Sequence, residues 1–106
     1  MKPESFKYRD RNIRMIVEST DVQYLGWIDK FIPILTDSLD VLIDAAYSHL
    51  REDGLIGEAD RPDLYAVIFD GDEDKGSTYS LMFAANEPLG VIFEGHRALG
   101  VVHGAV

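Results

Sequence analysis

Apolar residues recur at helical spacing from Ile32 to Leu50 more regularly than anywhere else in the chain. Wound at 3.6 residues per turn, Ile32, Leu35, Leu39, Leu42, Ile43, Ala46 and Leu50 share one arc, while Asp37, Asp40, Asp44, Ser48 and Arg51 take the opposite side. The pattern predicts an amphipathic helix, and so full an apolar stripe needs a sheet or a second helix over it. Pro33 suits the first turn, where a missing N–H is least felt, and Gly54 suits the C-terminal cap. The helix is thus expected over about residues 33–52. Before it, Thr20 followed three residues on by Gln23 reads as a capping box that opens a separate short helix over Val22–Lys30. Gly26 argues against that helix, and Val22-Gln23-Tyr24 would also suit a strand. Trp27 is expected to pack between this segment and the main helix.

The flanks alternate with the period of strands. Phe6 and Tyr8 stand against Lys7 and Arg9, then Ile13, Met15 and Val17 against Arg14, with Asp10-Arg11-Asn12 between them. This predicts a hairpin with one apolar and one basic face, in which Asn12 takes the left-handed turn position. Gly57–Asp63 is loop chemistry. Leu64–Asp70 and Thr78–Ala85 then flank a long acidic loop, with Tyr65, Val67 and Phe69 on one face of the first strand and Tyr79, Leu81 and Phe83 on one face of the second. Leu89–Glu94 is the next strand, and Gly95-His96 supplies a type II′ turn that sets Glu94 opposite Arg97. That register places Ile92 beside Leu99 and Phe93 beside Ala98. Both faces of this last hairpin are then largely apolar, so something must cover each. The helix can cover one; the N-terminal hairpin or a second copy of the chain would cover the other.

The expected architecture is a single α+β domain over residues 1–106. In it an antiparallel sheet, made of the N-terminal hairpin and a C-terminal four-stranded meander, is packed by one long amphipathic helix and the short helix preceding it. A chain of this length fits one core. It contains no cysteine, which excludes disulfides and thiolate chemistry. No apolar run approaches the ~18 residues of a membrane span, and the charged Met1–Asp10 start is unlike a signal peptide. A cytoplasmic location without membrane partners is the default expectation.

The formal charge of −9 is unevenly distributed. Residues 1–18 carry a net +2 and the remaining 88 a net −11. Such acidity disfavours nucleic-acid partners and favours cationic ones, although it also serves simple solubility. The carboxylates Asp70, Asp72 and Asp74 start like a calcium loop, yet Lys75 stands where its turn glycine belongs and Leu81 where its bidentate Glu belongs. A solvated hairpin tip is the expected reading. His49, His96 and His103 have no ligand-spaced partners, no serine lies in a nucleophile motif, and the glycines form no phosphate loop. No cofactor, metal or catalytic residue is expected, which makes a non-enzymatic role the favoured one.

The acidic stripe of the helix stands apart. Asp37, Asp40 and Asp44 repel one another, no lysine follows Asp40 or Asp44 by four residues, and Val41 and Ile34 lie beside them, outside the main apolar arc. An apolar pair edged by carboxylates suits a basic protein surface, so Asp37, Asp40, Val41 and Asp44 form the candidate interaction site. The alternative is a plain solvated face with a stray valine. The function that follows is a small acidic protein-binding module of inhibitor, immunity-type or accessory character. Its competitor is a cationic-ligand binder or small enzyme with a cavity lined by Asp and His. A homodimer is expected through the doubly apolar C-terminal hairpin, whose final strand has no proline or lysine to discourage edge pairing.

Overall fold

In the computed structural model, which describes residues 5–18, 21–69, 78–85 and 88–103, the N-terminal alternation folds into β1 (Ser5–Tyr8) and β2 (Arg11–Val17). One helix, α1 (Val22–Glu52), follows. Four strands complete the chain: β3 (Asp63–Phe69), β4 (Thr78–Ala84), β5 (Leu89–Glu94) and β6 (Arg97–His103). All six strands form one sheet in sequence order. The fold is α+β with a single helix among the described residues.

Two expectations are corrected here. The short helix over Val22–Lys30 is not separate, because α1 runs through it without a break for 31 residues. Tyr24, Ile28 and Phe31 prolong the buried arc of Leu35, Leu39, Leu42, Ile43, Ala46 and Leu50, so one apolar stripe drives both halves. Gly26, which argues against a helix, and Pro33, expected in the first turn of one, both lie on the solvent side. A ring and a missing N–H facing water disturb the packed face little. The cap is Asp21, whose carboxylate accepts from the amides of Gln23 (2.9 Å) and Tyr24 (3.4 Å). At the other end Gly54, at φ 73°, closes a Schellman motif, with its N–H on Arg51 O and that of Leu55 on Leu50 O.

The sheet, second, is mixed rather than antiparallel throughout. β2 and β3 pair in parallel, Arg14↔Ala66 to Val17↔Phe69, because α1 carries the chain back to the end of the sheet where β2 began. The N-terminal hairpin and the meander are therefore one continuous surface. α1 lies over one face, burying Ile13, Met15, Val67, Phe69, Tyr79, Leu81, Phe83, Val91 and Phe93. Near its N-terminal end Trp27 stacks on Phe31 at 4.6 Å and on Tyr24 at 5.6 Å and meets Phe69 edge-on. On the opposite face Ala66, Ile68 and Met82, with Ile16 beside them, make a smaller apolar cluster. The β1–β2 hairpin extends the sheet at its edge and does not fold over that second face.

Local registers also depart from the simple alternation. The hairpin turn is Arg9-Asp10, both left-handed at φ 49° and 63°, whereas Asn12 lies in β2 opposite Lys7. A bulge between Leu64 and Ala66 turns Leu64 inward with Val67 and Phe69 and leaves Tyr65 at the surface. A second bulge between Ile92 and Phe93 pairs Ile92 with Gly100, leaving Leu99 exposed rather than beside Ile92. Phe93↔Ala98 and Glu94↔Arg97 pair as their spacing predicts, with Gly95 at φ 60°. The acidic loop Asp70–Asp74 lies outside the described residues.

Candidate functional site

Residues Asp40, Ile43, Asp44 and Tyr47 fall at i, i+3, i+4 and i+7, which places them along one flank of α1. That flank faces the start of the sheet. Between the two lies a cleft of about 400 Å³, walled by these four side chains, by Tyr8, Arg9 and Arg11 of the β1–β2 turn, and by Arg61, Asp63 and Leu64 at the entry to β3. The basic excess of the N-terminal residues and the acidic stripe of the helix meet here.

Each wall is tied by a small number of polar contacts. Asp40 accepts from the Tyr8 hydroxyl and pairs with the Arg9 guanidinium at 3.3 Å. Continuing the parallel register Arg14↔Ala66 three residues back brings Arg11 beside Asp63, and the two pair at 3.2 Å. The Tyr47 hydroxyl donates to Pro62 O at 2.6 Å, latching the loop to the helix. Within that loop Asp60 accepts from the Gly57 amide, and Arg61 donates through Nη1 to the carbonyls of Glu58 and Asp60. Arg51 and Arg61 both stand 5.7 Å from the Tyr47 ring centre. Asp44 makes no hydrogen bond or ion pair among the described residues.

Two phenols in the cleft titrate high. Burial pushes the Tyr8 hydroxyl up to about 12, helped by its hydrogen bond to Asp40 and by that residue's charge and opposed by Arg9. Tyr47 is also raised, first by burial and then by the charge of Asp63, against the pull of Arg61. Neutral phenols at these positions act as donors to a carboxylate and a carbonyl, not as bases.

The four residues singled out from the sequence separate into two groups. Asp40 is engaged within the chain by Tyr8 and Arg9, while its side chain stays 65% exposed. Asp37, Val41 and Asp44 lie in a line with Lys30, Ile34 and Ser48 along the solvent side of α1, with Asp44 also bordering the cleft. Val41 is 66% exposed and Ile34 48%. Arg61, Asp63 and Leu64 were not legible as site residues, since only the parallel β2–β3 pairing brings them to the flank of α1 where Tyr47 stands. The segregation of positive charge before residue 18 from negative charge after it was the available signal. No histidine lines the cleft, and His96 instead contacts Ser38 Oγ at 3.1 Å at the far side of the helix. No group of three or more potential metal ligands occurs among the described residues, and no helix there is long and apolar enough to cross a membrane.

No protein-family model, curated protein or solved structure matches this chain.

Proposed function

We propose that this protein is a small acidic binding module that docks the outer ridge of α1 onto a basic protein surface, as an inhibitor, immunity-type or accessory protein would. The observation that carries this reading is Val41. It is two-thirds exposed in mid-helix, with Asp37 about one turn before it and Asp44 about one turn after it on the same line. Neither carboxylate has a partner among the described residues. Burying the exposed parts of Val41 and Ile34 against a partner would contribute about 1–2 kcal/mol for each side chain. The carboxylates would steer a basic partner and fix its register more than they would add affinity. Ile34 extends the apolar strip one turn further, and Asp40 contributes less because Tyr8 and Arg9 already engage it.

The test is fluorescence anisotropy with a labelled helical peptide carrying leucine at i, i+3 and i+7 and lysine between. Saturable binding that weakens with salt and is abolished by Val41→Arg is the expected result. Equal affinity for the wild type and Val41→Arg would place binding elsewhere and overturn the reading.

A further inference from the structure

We propose that the cleft between α1 and the β1–β2 turn binds a small zwitterion, a free α-amino acid or a dipeptide. Its ammonium would sit on Asp44 and its carboxylate on the guanidinium groups of Arg9, Arg11 and Arg61. A guanidinium carries five N–H donors. Arg9 engages Asp40 through Nη2, Arg11 engages Asp63 through Nη1, and Arg61 engages two backbone carbonyls through Nη1 alone. All three therefore keep donors on other nitrogens. On the opposite wall Asp44 is the carboxylate without a partner among the described residues.

Neither simple ion fits both walls. A monocation would gain Asp44 but meet three guanidinium groups; a monoanion would gain the guanidinium groups but meet three carboxylates. A ligand bearing both charges satisfies each wall and is repelled by neither. The volume is that of a small-molecule site, and Ile43, Leu64 and the Tyr47 ring offer apolar surface for an aliphatic or aromatic substituent.

This site shares Asp44 with the ridge of α1, but no peptide partner enters its test, so the two readings can fail separately. The protein is titrated, with amide chemical shifts as the readout, against L-phenylalanine and the dipeptide Gly-Phe. Phenethylamine and 3-phenylpropionate, each with one charge removed, are run alongside. Saturable shifts confined to residues 8–11, 40–47 and 61–64 are expected with at least one zwitterion, with binding at least about tenfold weaker for both analogues. Asp44→Asn, which breaks no described contact, removes that preference and brings 3-phenylpropionate level with the zwitterion. An amine that binds as tightly as the zwitterion overturns the proposal, as does the absence of shifts in the cleft with either zwitterion at millimolar concentration.

Discussion

Tyr79→Phe probes how the helix end, the sheet centre and the β5–β6 turn are joined. Tyr79 is fully buried, and its ring lies 5.0 Å from Phe31, 5.7 Å from Phe93, 6.0 Å from Phe69 and 6.3 Å from Trp27. The hydroxyl donates to the carbonyl of Gly95, the first residue of the β5–β6 turn. Phenylalanine preserves every ring contact and deletes only that bond. The net loss for a hydrogen bond is about 0.5–1.5 kcal/mol, and a carbonyl left dry costs about 1–3 kcal/mol. Gly95 is part-exposed, so water can reach its carbonyl and the lower range applies. Urea unfolding of Tyr79→Phe should therefore show a loss of about 0.5–1.5 kcal/mol with an unchanged m-value. Tyr79→Ala, which also empties the centre of the ring cluster, should lose about 3–5 kcal/mol. Hydrogen exchange should place the Phe effect at Gly95-His96 and leave the helix amides alone. A Phe variant as stable as wild type, with unchanged exchange in the turn, would refute the tie between Tyr79 and the turn. A Phe loss as large as that for Ala would refute the division between ring packing and hydroxyl.

Leu42→Ala and Leu39→Ala, at positions buried under the sheet, should each cost about 2–5 kcal/mol, read from urea midpoints. Asp10→Gly should stabilise the protein by about 0.5–1 kcal/mol, because glycine takes the left-handed turn position without the side-chain penalty. Arg51→Met should be neutral or stabilising by thermal melt, since Nε and Nη2 of Arg51 are buried without acceptors and Met keeps the packing of the stem. Tyr8 holds its proton more tightly folded than unfolded, so its contribution is complete below pH 10 and is lost as pH rises towards 12. Denaturation followed across that window should show a slope that Tyr8→Phe reduces. The β6 edge, with Leu99 exposed on it, should support a homodimer in sedimentation. A single species near 11.9 kDa at all dilutions would exclude it.

The apolar stripe of α1, the strand order of the meander and the Gly95 turn were legible because each follows from periods of 3.6 or 2 and from local turn chemistry. Gly26 and Pro33 misled, since their cost depends on which side of the helix they occupy, and that side is known only once the sheet is in place. The two bulges were invisible for a related reason. A bulge adds one residue to a strand whose side chains still alternate on either side, so Tyr65 and Leu99 look inward until the pairing partner is known. The parallel pairing of β2 with β3 does not show in the pattern, because an amphipathic stripe looks the same on a helix that covers a finished sheet and on the crossover that builds one. With that pairing missed, Arg11 could not be brought to Asp63, nor the hairpin turn to the helix flank. Of the four site residues read from the sequence, Asp40 is tied to Tyr8 and Arg9 for the same reason.

The ridge of α1 is tested most directly by exchanging its charge. In the double variant Asp37→Lys, Asp44→Lys, with the exposed Val41 kept, the ridge becomes basic while the buried face of the helix is untouched. Anisotropy is then measured for two matched helical peptides with the same leucine pattern, one carrying lysine and one carrying glutamate. The wild type should bind the lysine peptide and the variant the glutamate peptide, each with affinity that falls as salt rises. A variant that still prefers the lysine peptide, or a wild type that does not discriminate between the two, would contradict a basic partner seated on Asp37, Val41 and Asp44.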